Sequence, residues 1–344
     1  MIKYFSPTSF KLASTDLEAF FKKYLSGLPR IDNFGQTKEM ALGSAFDSRV
    51  KAHLYKELIG SGPTFDDLLK CDAGLRDLAV KDSQYLFDLY IRSGTLADLV
   101  YELNQGLKGS LTFEFKMTAE IPKIELGFSG PPLQISGKPD LHFVVTVLEP
   151  RNEIEEQLTL KHFFGAIPII HDWKVNGFYS EYPTSPIKNF YKTRENKGLN
   201  RSDPSTWGSW TSKAHKEFTP VKFFTERANL VAHCQPLHDE EWLIQLTMYA
   251  WMCGVSIGGK CLHGIEQVLG NPNKVRFASA RFLGPNADYQ QELIAKLYKY
   301  WEIIHSDHIF RDLSYEDSKR RCEMLTLTAQ REMQGLTNTD VTKV

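Results

Sequence analysis

Residues 137–148, Gly-Lys-Pro-Asp-Leu-His-Phe-Val-Val-Thr-Val-Leu, and residues 167–175, Ile-Pro-Ile-Ile-His-Asp-Trp-Lys-Val, say most about this chain. Each contains a short apolar run rich in β-branched and aromatic side chains, and each run predicts a buried strand. Residues i and i+2 of a strand share a face. Asp172 and Lys174 therefore project together at the end of the second strand, and Trp173 turns the other way. Asp140 opens the first strand and reaches the same point if the two strands are neighbours. Two carboxylates, the main-chain carbonyl of Trp173 and waters make an oxygen-rich site suited to Mg²⁺ or Mn²⁺. Soft ligands are absent from the set, which argues against zinc.

Elsewhere the pattern alternates between helix and strand. Residues 1–108 read as helical: a helix capped by Ser14 or Thr15 and running to Leu25, then 39–58, 75–92 and 96–103. Residues 109–285 hold the strands, at 111–117, 121–128, 141–148, 167–175, 261–269 and 275–282, with a helix at 239–253. Helices at 288–304 and 315–333 follow, and 335–344 reads as a flexible tail. This order predicts one α+β or α/β domain over 1–334. Residues 178–238 lose periodicity and read as a long insert. Lys192, Arg194, Arg201 and Lys213 interleave there with Trp207 and Trp210. Cations that track phosphates and rings that stack on bases suit single-stranded or frayed DNA, although a solvated loop has the same composition.

The chain has 344 residues, 42% of them apolar, with 41 basic against 42 acidic side chains. A near-neutral balance excludes a histone-like DNA binder but leaves room for a local basic patch. No run of about 18 apolar residues is present, so no membrane span is expected, and the start lacks the apolar core of a signal peptide. Five scattered cysteines without a Cys-x-x-Cys read as reduced thiols of a cytoplasmic protein. No Gly-x-x-x-x-Gly-Lys-Ser/Thr is present, so no phosphate-binding loop of a helicase motor is expected.

Two further pieces complete the pattern. Gln245 and Tyr249 stand i, i+4 on a predicted helix, and Gly43 and Asp47 lie on another. With Pro139-Asp140 and Asp172-Trp173-Lys174, the ordered set resembles the PD-(D/E)XK nuclease signature, in its RecB-like and phage exonuclease branch. The resemblance spans roughly residues 5–285 but rests on few positions. It implies a restriction-endonuclease-like α/β fold, with a central mixed sheet flanked by helices and a helical N-terminal portion. It also implies a divalent-metal-dependent deoxyribonuclease, an exonuclease of phage or bacterial DNA recombination, repair or degradation. Asp140 and Asp172 would ligate metal with the Trp173 carbonyl, and Lys174 would position the attacking water. Gln245 and Tyr249 would order Lys174 and the phosphate.

Asp47 stands where that branch usually has histidine and would serve as a further ligand. Lys51 stands where the branch often has glutamate and cannot ligate while protonated. The cysteines do not match the iron–sulfur members, so no such cluster is expected. DNA is the expected partner, with a homo-oligomer or a recombination or replication protein as further possibilities. The alternatives are a structure-specific or nicking endonuclease and a non-cleaving nucleic-acid-binding protein. Taken singly, Arg49 and Lys51 read as a solvated helical face, with phosphate contact as the alternative, Gly43 as a point of close helix approach, and His53, His142 and His171 as structural.

Overall fold

The computed structural model of the protein describes residues 2–25, 35–104, 106, 109–113, 116–122, 131–147, 165–179, 221–224, 229–232, 240–269, 271–272, 275–305, 320, 323–324 and 327. They fall into two compact units, one of 1–32, 116–137 and 286–344 and one of 33–115 and 138–285. The helices that the sequence groups over 1–108 divide between them.

In the first unit, α1 (Pro7–Thr15) and α2 (Leu17–Tyr24) meet at a tight break. Asp16 causes it: its side chain accepts from the Ala19 amide at 2.8 Å and so caps α2, in place of the expected Ser14 or Thr15. Ser6 and Ser9 form a capping box at the start of α1, ahead of Pro7. A hairpin of β2 (Met117–Glu120) and β3 (Gln134–Gly137) is bridged by Phe5. Phe5 sits edge-on to Phe10 and to Trp301 of the last long helix, Ala287–His305, at 5.6 and 5.3 Å between ring centres. Burial of these rings gives this unit its core.

The second unit carries the central sheet. Its helices are α3 (Lys38–Ile59), α4 (Phe65–Leu68), α5 (Arg76–Arg92), α6 (Thr95–Asn104) and α7 (Glu240–Met252). The helix Ala287–His305 of the first unit is α8. Five strands lie in the order β1 (Thr112–Phe113), β4 (Leu141–Val147), β5 (Gly165–Asn176), β8 (Leu262–Leu269) and β9 (Arg276–Leu283). The β5–β8 pair is parallel and the others are antiparallel, so the sheet is mixed. A parallel neighbour requires a crossover, and α7 lies in it. The chain is thus of mixed α/β class, with a mixed sheet flanked by helices.

The alternation expected of β4 and β5 sorts their side chains onto two faces. Leu141, Phe143, Val145, Ile167 and Ile169 pack with Leu42, Phe46, Val50 and Leu54 of α3 and with Leu86 and Tyr90 of α5. The even positions of β5 point to the opposite face. Thr37 caps α3, and Gly60 ends it in the left-handed region at φ 79°, which favours glycine. Gly43 does not mark a close approach, because a Cβ there would meet nothing within 4 Å.

Within the region read as an aperiodic insert, β6 (Val221–Phe224) and β7 (Asn229–Ala232) form an antiparallel hairpin. Lys192, Arg194, Arg201, Trp207, Trp210 and Lys213 lie outside the described residues, as do the tail 335–344 and most of the helix expected at 315–333. Among the described residues, no helix is long and apolar enough to cross a membrane.

His263 of β8 is fully buried, and burial pushes its imidazole down to about 3. The unfolded chain takes up that proton near pH 6.5, so acid favours unfolding. This residue is expected to lower stability by about 1.4 kcal/mol per pH unit below 6.5, or about 2 kcal/mol at pH 5. Urea unfolding at pH 7 and pH 5 should show a flatter dependence for His263→Gln. Equal slopes in both proteins would mean that His263 does not gain a proton on unfolding.

Candidate active site

On α3, Asp47 and Lys51 stand one turn apart and face the same way. The Lys51 ammonium donates to Asp47 Oδ2 at 2.5 Å and to Asp140 Oδ1 at 3.1 Å. Its side chain is only 1% exposed. Lys51 therefore does not lie on a solvated face. A buried ammonium is costly unless paired, and here two carboxylates pair with it. Arg49 also leaves solvent in part: its guanidinium donates to Ser83 Oγ at 2.9 Å and to the Val80 carbonyl at 3.0 Å.

Asp140 stands just before β4. Leu141 pairs with His171 across the β4–β5 ladder, so Asp140 lies opposite Asp172. The second oxygen of Asp140 accepts from the Trp173 amide at 3.3 Å. Trp173 thus contributes its backbone N–H to the cluster, while its ring packs into the core on the other face. His171 points to that same face and meets the Trp173 ring edge-on at 4.7 Å.

Asp172 and Lys174 share a face, as the alternation requires, and form an ion pair. Asp172 is buried, and the Lys174 side chain is 21% exposed. Lys174 Nζ also donates to Gln245 Oε1 at 3.2 Å, and Gln245 Nε2 donates to Tyr249 Oη at 3.2 Å. The i, i+4 pair of α7 thus holds the lysine from the far side. Asp47, Lys51, Asp140, Asp172, Lys174, Gln245 and Tyr249 form one connected series drawn from four parts of the chain.

Charge is unevenly shared along the series. Desolvation pushes the Asp140 carboxyl up, but Lys51, the hydrogen bond from Asp172 and Lys174 together hold it well below the usual carboxylate range. Desolvation pushes Asp172 far up; Lys174 opposes this, while the adjacent Asp140 adds to it. The two carboxyls are thus pushed in opposite directions, Asp140 down and Asp172 up, as expected of adjacent acids that titrate as a pair. Lys174 is desolvated too, yet Asp172 and Asp140 keep its ammonium charged. Burial and the nearby Asp172 push Tyr249 up to about 12, so it stays a neutral hydroxyl. Three acids face two ammonium groups along the series.

Among the described residues, no three His, Cys, Asp or Glu side chains gather as a metal-ligand group. Asp140 and Asp172 converge directly, whereas Asp47 joins them through Lys51. The two carboxyls nevertheless suit a hard, oxygen-ligated cation.

Sequence reasoning misplaced Lys51 on a solvated face, although the Asp-x-x-x-Lys spacing of a helical ion pair was a signal for its pairing with Asp47, and it passed over one further residue. Glu266 of β8 carried none. It is buried beside Trp173 in the β5–β8 register and accepts from the Tyr90 hydroxyl on the core face.

No protein-family profile matches the sequence, and no curated protein matches it. A solved structure described as "Crystal structure of SSO0001" is similar over 76% of each chain, at 12% identity and a TM-score of 0.22, too low a score to carry an argument.

Proposed function

We propose that the protein is a Mg²⁺- or Mn²⁺-dependent deoxyribonuclease, with a restriction-endonuclease-like core and exonuclease activity on linear DNA. One observation carries the reading: Asp140, Asp172 and Lys174 meet at a single point, from a strand start and a strand end distant in sequence. The mixed five-stranded sheet with helices on its faces is compatible with the resemblance.

Asp140 and Asp172 would hold the cation. When bound, it lowers the pKa of a coordinated water and neutralises charge on the scissile phosphate. Lys174 orients the attacking water and stabilises the charge that develops on phosphate oxygen. Gln245 fixes Lys174 by accepting a hydrogen bond from its ammonium, and Tyr249 fixes Gln245 in turn. Lys51 keeps Asp140 ionised and ready to ligate.

End-labelled linear duplex and single-stranded DNA should release label with Mn²⁺ or Mg²⁺ and cease to do so with EDTA. Covalently closed circles should survive under the same conditions. Cutting of circles at the linear rate would replace the exonuclease reading with an endonuclease one. DNA binding without cleavage in either metal would favour the non-cleaving alternative.

A further inference from the structure

The series of charges has two halves, and they are filled differently. On one half, Asp140 and Asp172 lie opposite each other where β4 and β5 pair, within hydrogen-bond reach, so one metal ion can bridge them. On the other, Asp47 Oδ2 and Asp140 Oδ1 are already bridged by Lys51 Nζ, at 2.5 and 3.1 Å. The lysine is 1% exposed, and its ammonium lies 5.9 Å from the centre of the Trp173 ring. It comes from α3 and spans to the start of β4, so helix and strand both hold it in place. Any ion bridging the same two oxygens would have to sit where this nitrogen sits. An ammonium group carries one charge, requires no loading and cannot activate a bound water as a divalent ion does.

We propose that Lys51 is a built-in cation filling the Asp47–Asp140 half of the cluster, so that the site takes one divalent ion, between Asp140 and Asp172, and not two. Lys51 is then a positioning residue, and Asp47 serves to hold it, not to ligate metal. This inference rests on the metal-dependent reading above.

The test counts ions directly. Metal-free full-length protein is titrated with Mn²⁺, and free Mn²⁺ is followed by electron paramagnetic resonance, with no DNA present. Wild type should bind one ion per chain. Lys51→Ala, which frees two carboxylate oxygens and the space between them, should bind two. Two ions in wild type would overturn the role of Lys51 and leave the nuclease reading standing. No ion in wild type would overturn both. One ion or none in a folded Lys51→Ala would show the lysine to be a structural pair only, and the proposal would fail. If the variant is unfolded without metal, Mn²⁺ but not NaCl of equal ionic strength should restore its far-UV circular dichroism. No recovery would equally end the proposal.

Discussion

Lys174→Ala is expected to lose metal-dependent release of label from linear DNA by about 10³-fold, the scale of removing a preorganised charge-stabilising donor. The same variant should stay folded. Removing one partner of a buried ion pair ordinarily costs several kcal/mol, because the other charge is stranded. Here the remaining partner is Asp172, whose carboxyl burial already pushes far up and which can hold a proton. The Lys174 side chain is also 21% exposed, so its loss opens no sealed cavity. The expected signature is near-complete loss of hydrolysis with a stability change of about 1–2 kcal/mol, within the ordinary range for point substitutions. Activity assays paired with thermal unfolding would read both. Hydrolysis equal to wild type would remove Lys174 from the mechanism. Unfolding of the variant would show the ion pair to be structural.

Asp140→Asn should separate metal binding from folding in the other direction. The amide oxygen can still accept from the Trp173 N–H, which Asp140 Oδ2 now does at 3.3 Å. Lys51 keeps Asp47 at 2.5 Å, so its ammonium is not left alone. What disappears is the carboxylate that Lys51 holds well below the usual range. Wild type should gain about 2.7 kcal/mol of stability when Mn²⁺ is present at about a hundred times its Kd. The variant should gain almost nothing at the same concentration and should lose hydrolysis to the same extent as Lys174→Ala. Unfolding curves with and without Mn²⁺ decide this. An equal metal-induced shift in both proteins would mean that the ion, if it binds, does so elsewhere.

Much of the site was legible because its residues obey local rules. Alternation in Ile-Ile-His-Asp-Trp-Lys put Asp172 and Lys174 on one face and sent His171 and Trp173 to the other. Helical spacing aligned Gln245 with Tyr249. Those are short-range consequences of backbone geometry, and they hold whatever surrounds the element. The errors fell where a choice depended on neighbours. Ser14, Thr15 and Asp16 are all good caps, and only the fold of the first unit selects Asp16. The hairpin β6–β7 lacks a strong periodic signal, because its pairing, and not its own pattern, makes it a sheet.

The chain by itself settled which side chains share a face, which segments alternate and which turn as helices, since each follows from spacing over a few residues. It also carried the donor types, oxygen and amine, that define the chemistry of the cluster. Tertiary structure alone decided that β4 and β5 pair with Leu141 opposite His171, which brings Asp140 to Asp172. It alone drove Lys51 out of solvent and between two carboxylates. In both cases the deciding partner lies far away in sequence: strand register depends on the neighbouring strand, and a buried ammonium is tolerated because a distant strand start delivers the second of two acids that pair with it.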